Sequence, residues 1–207
     1  MSEAARPATL VIDTATAACS VALIAGGCLL VARHELVGRG HAERLVPMIG
    51  EVIARLGPPQ SILVDIGPGS FTGVRVGLAA ARALGMAWGV PVRGYSSLVL
   101  LARMAAGKAP RAVAIPGGHG ELFVQRFLDP ATAIGPLQSL VPADAARVVT
   151  EADIFGEGAA LLVAARGWGE ARALLPDASA ALLLAPEDQD LPPRPLYGRA
   201  PDARLPG

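Results

Sequence analysis

The stretch from Ile62 to Gly85 leaves this chain few folds to choose from. An apolar run, Ile62-Leu63-Val64-Asp65-Ile66, meets a glycine-rich turn, Gly67-Pro68-Gly69-Ser70-Phe71-Thr72-Gly73, and then a segment almost without large side chains. The run predicts a buried strand over 62–66, and the segment a helix over 74–88. Glycines at 67, 69 and 73 allow positive φ and bring backbone N–H groups close to a neighbour. Gly77, Ala79, Ala80, Ala81, Ala83, Gly85 and Ala87 keep the helix slim, so another helix can approach its axis. A unit of this kind either holds an anion at the helix N-terminus or docks a partner.

The familiar anion and nucleophile loops do not fit. A Walker A loop needs a lysine after its last glycine, and the single lysine of the chain is Lys108. A dinucleotide fingerprint needs a glycine three residues after Gly69, where Thr72 stands. A hydrolase elbow needs glycines two residues either side of its serine; Ser70 has Pro68 and Thr72 there, and Gly94-Tyr95-Ser96-Ser97-Leu98 lacks the second glycine. Ser70 therefore reads as a turn or N-cap serine.

Before this unit, Leu10 to Asp13 predicts a strand ending in a carboxylate, followed by the polar turn Thr14-Ala15-Thr16. Two further strands, 20–25 and 29–36, surround Gly26-Gly27. Leu45, Met48, Ile49, Val52, Ile53 and Leu56 recur at helical spacing, which predicts a helix over 44–56 with Pro47 in its first turn. A short strand is expected at 90–93. In the second half, helices are expected at 98–106 and 143–147 and strands at 113–115 and 122–128. The segments 148–155 and 159–175 complete a smaller α/β unit, and the proline-rich tail beyond Pro186 is expected to be extended. The chain thus divides into a first lobe over 8–95, a second over 96–190 and a tail over 191–207.

Eighteen basic and eighteen acidic residues balance in the 207-residue chain, so no overall field recruits nucleic acid. Cys19 and Cys28 fall in one expected hairpin and read as reduced thiols; no C-x-x-C suggests zinc or redox chemistry. The beginning of the chain has no signal-peptide pattern, and no apolar run is long enough to span a bilayer, so a cytoplasmic location is expected. His34, His41 and His119 are never three or four residues apart, so no metal site is expected, and His41 reads as a helix-start residue.

Taken whole, Gly67-Pro68-Gly69-Ser70-Phe71-Thr72-Gly73-Val74-Arg75-Val76-Gly77-Leu78 resembles the signature of the TsaB (YeaZ) family of tRNA threonylcarbamoyladenosine biosynthesis. Ile12-Asp13-Thr14-Ala15-Thr16, His41-Ala42-Glu43-Arg44-Leu45, Gly94-Tyr95-Ser96-Ser97-Leu98 and the closing Pro195-Leu196-Tyr197-Gly198-Arg199 follow the family pattern in order. The resemblance implies an α/β fold with two lobes of the actin, sugar-kinase and Hsp70 (ASKHA) class, the first complete and the second reduced. In that class the first turn cradles nucleotide phosphates, which would place Asp13, Thr14 and Thr16 in a phosphate loop. The alternative is that the three residues simply cap a tight turn.

One departure bears on mechanism. Where the family has Asp-Ala-Arg before Gly-Glu, this chain has Pro116-Gly117-Gly118 before His119-Gly120-Glu121. That removes the acid opposite Asp13, so no catalytic residue and no cofactor is expected, and ATP or ADP would bind weakly. The resemblance implies a non-catalytic subunit that forms a heterodimer with a TsaD-type enzyme, works with a TsaE-type ATPase and meets tRNA through the complex. The pairing surface would be the two helices, through His41, Arg44, Leu45, Met48, Val76, Ala79 and Ala83. A homodimer through the same helices, and an independent ATP-binding or glycoprotease-like enzyme of the same fold, are the competing readings.

Overall fold

A computed structural model describes residues 7–54, 57–105, 107 and 109–198. Leu56, Ala106, Lys108 and the chain from Arg199 onward, with the last residues of the closing element, lie outside them.

The first lobe is one five-stranded sheet in the order β3-β2-β1-β4-β5, built from β1 (Ala8–Asp13), β2 (Ala18–Ala25), β3 (Cys28–Leu36), β4 (Ser61–Asp65) and β5 (Val92–Tyr95). The first three strands are antiparallel neighbours; β4 and β5 add in parallel. Alternation decides which face each side chain takes. Leu10, Ile12, Val21, Leu23, Ile62 and Val64 point to the side covered by α1 (His41–Ile53) and α2 (Phe71–Trp88). Val11, Ala22 and Leu63 point to the other side, toward Leu100 of α3 (Ser97–Met104).

The second lobe repeats this plan, although no repeat is visible in the sequence. Its strands β6 (Arg111–Pro116), β7 (Leu122–Phe127), β8 (Ala133–Leu140), β9 (Asp153–Phe155) and β10 (Glu170–Arg172) are ordered β8-β7-β6-β9-β10, again with two antiparallel pairings and two parallel ones. Its last strands have three residues each, and its helices α4 (Pro142–Val148) and α5 (Ala159–Arg166) are short, which makes this the reduced lobe. β8 is not foreseen from sequence because Gly135 and Pro136 interrupt its apolar alternation. Helix α3 serves both lobes. Leu100 faces the first sheet while Leu98, Leu101 and Ala102 face Val113, Ile115 and Phe127 of the second. Apolar apart from Ser97 and Arg103, it is buried or half-buried along its whole length.

Two expectations are corrected. α1 begins at His41, with the Arg44 N–H donating to the Gly40 carbonyl, so Pro47 lies inside the helix rather than in its first turn. Pro47 is exposed there, and the Glu43 carbonyl that loses its partner is left on the water side. The chain also returns to the first lobe earlier than the tail at 191 suggests. From Asp177, a 3-10 segment, Ala178–Leu183, lies beside α3 on the same face of the first sheet, with the Ala178 N–H donating to Ser20 Oγ at 2.9 Å.

Cys19 and Cys28 occupy the expected hairpin as free thiols, Cys19 buried and Cys28 exposed. Burial first, then the charge of Asp13, pushes the Cys19 thiol up to about 11. A thiol-specific chromogenic reagent is expected to label Cys28 within minutes in the native chain and Cys19 only in denaturant. Equal rates for the two thiols would contradict this hairpin.

Candidate functional site

β1 and β4 are parallel neighbours with Ile12 opposite Val64, so the next residues, Asp13 and Asp65, end side by side at the C-terminal edge of the sheet. Both are fully buried. Asp13 accepts hydrogen bonds from the Tyr95 hydroxyl at 2.8 Å and from the Ala15 N–H at 3.2 Å. Asp65 accepts through Oδ1 from the Gly67 N–H at 2.6 Å and the Ser97 hydroxyl at 2.7 Å. Its other oxygen, Oδ2, has no donor. Such an oxygen in a dry site is satisfied when it carries a proton itself and donates to Asp13. Desolvation raises the pKa of both carboxyls, and the charge of Asp13 pushes Asp65 well above the usual carboxylate range. Burial and mutual repulsion thus hold the pair toward its protonated forms, and the bond from Tyr95 to Asp13 ties the ends of β1 and β5 together. Asp65, Tyr95 and Ser97 were not singled out from sequence; the available signal was an aspartate at or next to the end of two apolar runs, Asp13 in 10–13 and Asp65 in 62–66.

The glycine-rich loop fills the place where the fold class holds phosphates. Ser70 N–H donates to the Ala15 carbonyl at 2.7 Å, and Thr14 Oγ1 donates to the Gly73 carbonyl at 2.8 Å. A Cβ on Gly69 would overlap the Ala15 carbonyl oxygen, and one on Gly73 the Thr14 carbonyl oxygen. Only Gly67 of the three takes positive φ, at 95°. The other two are glycine because backbone meets backbone, which corrects the expectation of positive φ at all three. Asp13, Thr14 and Thr16 are all buried beneath this contact. The loop backbone thus packs directly on this turn, an arrangement in keeping with the tight-turn alternative. Ser70 is the N-cap of α2, its hydroxyl accepting from the Gly73 N–H at 3.1 Å. Phe71 and Thr72 are exposed at the start of that helix.

The two helices divide the expected pairing residues. His41, Leu45 and Met48 are buried in the first lobe, the His41 ring meeting the Ala18 carbonyl at 3.2 Å, so the expectation that they face a partner is corrected. The apolar stripe that made α1 legible is the stripe it spends on its own sheet. Arg44 is half-buried and paired with Glu35 and Glu51. Val76 is half-buried against the same core. The small residues of α2 divide by face: Gly77, Ala81 and Gly85 pack on its own sheet and Gly73 on the turn at Thr14, whereas Ala79 and Ala83 are exposed. Val46 of α1 is 65% exposed and Met86 of α2 is 84% exposed on the outer sides of these neighbouring helices.

A cleft of about 700 Å³ opens at the N-terminus of α2. Phe71 and Arg75 line it from the first lobe, and Gly118, His119 and Phe123 line it from the second. The segment from Pro195 to Gly198 forms a third wall. It is held by the Leu196 N–H donating to the Ile66 carbonyl at 2.8 Å and by Arg75 donating to the Tyr197 hydroxyl at 2.7 Å. Among the described residues, no group of three or more His, Cys, Asp or Glu side chains is placed to hold a metal ion.

Comparison with solved structures and known families agrees with this geometry. The chain superposes on YeaZ from Pseudomonas aeruginosa with a TM-score of 0.77 and 30% identity, over 92% of this chain and 99% of that one. Residues 34–147 match the family model described as TsaD, tRNA N6-adenosine threonylcarbamoyltransferase. An uncharacterized Mycobacterium tuberculosis protein is 32% identical over 94% of this chain and 93% of its own length. The Escherichia coli (strain K12) tRNA threonylcarbamoyladenosine biosynthesis protein TsaB is 40% identical over 124 residues, which span 55% of this chain and 52% of the relative. Two sheets of one topology sharing a buried helix define an α/β protein of the actin, sugar-kinase and Hsp70 class. Within that class, the chain belongs to the TsaB (YeaZ) family.

Proposed function

We propose that this chain is a non-catalytic subunit that pairs with a TsaD-type enzyme, with a TsaE-type ATPase, for N6-threonylcarbamoylation of adenosine 37 in tRNA. Such a subunit works where tRNA is modified, in the cytoplasm. The observation that carries the reading is the outer side of the α1–α2 pair. Val46, Pro47 and Gly50 on one helix and Ala79, Ala83 and Met86 on its neighbour are all exposed. Small residues let a partner helix come close, and the apolar ends of Val46 and Met86 supply buried area. The plugged phosphate turn supports a role in which the chemistry belongs to the partner.

Co-elution of the chain with the TsaD-type protein of the same organism on a sizing column tests the reading. A one-to-one complex is expected at micromolar concentration. Ala79→Arg and Ala83→Arg place a charge on the close-contact side and are expected to weaken pairing about a hundredfold or more. Both positions are exposed, so the melting temperature should hardly change. Two separate peaks for the parent chain, or unchanged complexes for both variants, would overturn it.

A further inference from the structure

The two lobes are joined by the chain at α3 and again after β10. Lobes joined only in this way rotate about their connections by default, unless a further contact ties them together. The return of the chain beyond Asp177 supplies such a contact. Asp188 pairs with Arg103 of α3 at 2.6 Å, and the two side chains are only 17% and 16% exposed. Leu191 then adds to the edge of β5. The Gly94 N–H donates to the Leu191 carbonyl at 2.7 Å, and the Leu191 N–H donates back to the Gly94 carbonyl at 3.1 Å. Arg82 of α2 donates through Nε to the Pro193 carbonyl at 3.1 Å. The bonds from Leu196 to Ile66 and from Arg75 to Tyr197 continue the row along the cleft.

All of these anchors lie on the first lobe or on the shared helix. The next residue does not. Gly198 sits against the second sheet, where a Cβ on it would stand 2.5 Å from a carbon of the Phe123 ring and 3.5 Å from Leu137. Phe123 belongs to β7 and Leu137 to β8, so the segment 188–198 is fastened to the first lobe along its length and seated on the second at its end. Its composition suits a span under tension. Pro192, Pro193 and Pro195 fix three φ angles, which lowers the entropy lost on ordering and leaves little slack to pay out. A glycine-rich and serine-rich segment would stretch as the lobes moved apart; a proline-rich one does not.

We propose that the segment 188–198 is a tie that fixes the separation of the two lobes, so that the cleft does not open and close about α3. Opening must either lift Gly198 off Phe123 or strip Leu191 and Leu196 from their backbone partners on the first lobe. The tie acts within the single chain and does not depend on pairing through the outer sides of α1 and α2.

Spin labels on the full chain measure the separation directly. One nitroxide is attached to the exposed Cys28 of the first lobe, and one to an Ala160→Cys substitution at an exposed position of α5 in the second. Double electron–electron resonance is expected to give one narrow distance distribution. Leu196→Pro removes the N–H that bonds to Ile66, and Gly198→Leu drives the end of the segment off Phe123. Each is expected to broaden the distribution about twofold and to shift its centre by several ångström, the scale of a collective hinge motion. Neither position lies in a lobe's core, and melting curves establish that both variants stay folded. A broad or two-peaked distribution in the labelled parent would overturn the proposal. So would a parent-like distribution in both variants, which would show that α3 alone sets the angle between the lobes.

Discussion

Gly73→Ala and Gly69→Ala are each expected to cost about 3 kcal/mol or more, which in a chain of this size lowers the melting temperature by roughly 6–12 °C. The cause is not lost chain freedom, since neither glycine has positive φ. The new methyl would overlap a backbone carbonyl, that of Ala15 for Gly69 and that of Thr14 for Gly73. A carbonyl cannot rotate aside as a side chain does, so the loop must lift off the turn. Lifting removes the bonds from Ser70 to Ala15 and from Thr14 to Gly73, the second of them buried, where an unmade hydrogen bond costs about 1–3 kcal/mol. Gly50→Ala is the natural control. Gly50 is exposed on α1 and a Cβ there meets nothing, so the change should stabilise by about 0.5–1 kcal/mol. Thermal melts followed by circular dichroism measure all three. A Gly73→Ala melt within 2 °C of the parent, roughly the effect of under 1 kcal/mol, would show that the loop is not clamped.

Asp65→Asn and Asp65→Ala are expected to act in opposite directions. Asparagine keeps an oxygen for the Gly67 N–H and the Ser97 hydroxyl, and its amide N–H replaces the shared proton to Asp13. Alanine leaves the Gly67 N–H and Ser97 hydroxyl without an acceptor and Asp13 without its neighbour, a loss of about 3 kcal/mol or more. The pH dependence follows from the direction of the shifts. Asp13 and Asp65 are both raised in the folded state, so the fold binds more protons than the unfolded chain above the ordinary carboxylate range. Their contribution is complete below the unfolded pKa, about 4, and is lost as pH rises through the folded values. Among the groups around the pair, Asp177 adds negative charge that raises Asp13 further, whereas the donors Tyr95 and Ala15 on Asp13, and Gly67 and Ser97 on Asp65, pull downward without cancelling the effect of burial. Surface carboxylates with lowered pKa, Glu35 and Glu51 beside Arg44 and Asp129 beside its own loop amides, give the opposite slope in parent and variant alike. The difference between them therefore isolates the pair. Urea midpoints at pH 5 and pH 8 should show the parent losing stability relative to Asp65→Asn as pH rises. A constant difference would mean that the two carboxyls do not share a proton.

The positions of β1 to β4 and of both long helices were legible because each spends its apolar pattern on a single sheet. Val64 and Ile62 alternate with Leu63, and Leu45, Met48, Ile49 and Val52 recur at helical spacing. The signature loop was equally plain, since glycine at 67, 69 and 73 has no equivalent in an ordinary turn. Sequence alone thus predicted the strand at 62–66, the glycine-rich loop after it and the helix at 74–88, and its motifs pointed to the family. Tertiary structure alone decided what the loop does. Whether Gly69 and Gly73 cradle an anion or press on a neighbouring turn depends on which backbone lies against them, and Thr14 and Ala15 are more than fifty residues away along the chain. The same holds for the Asp13–Asp65 pair, created by strand register, and for the cleft, whose three walls come from distant segments joined by the return of the chain beyond Asp177. Periodicity reports which side of an element is buried; only the folded chain reports what lies against it.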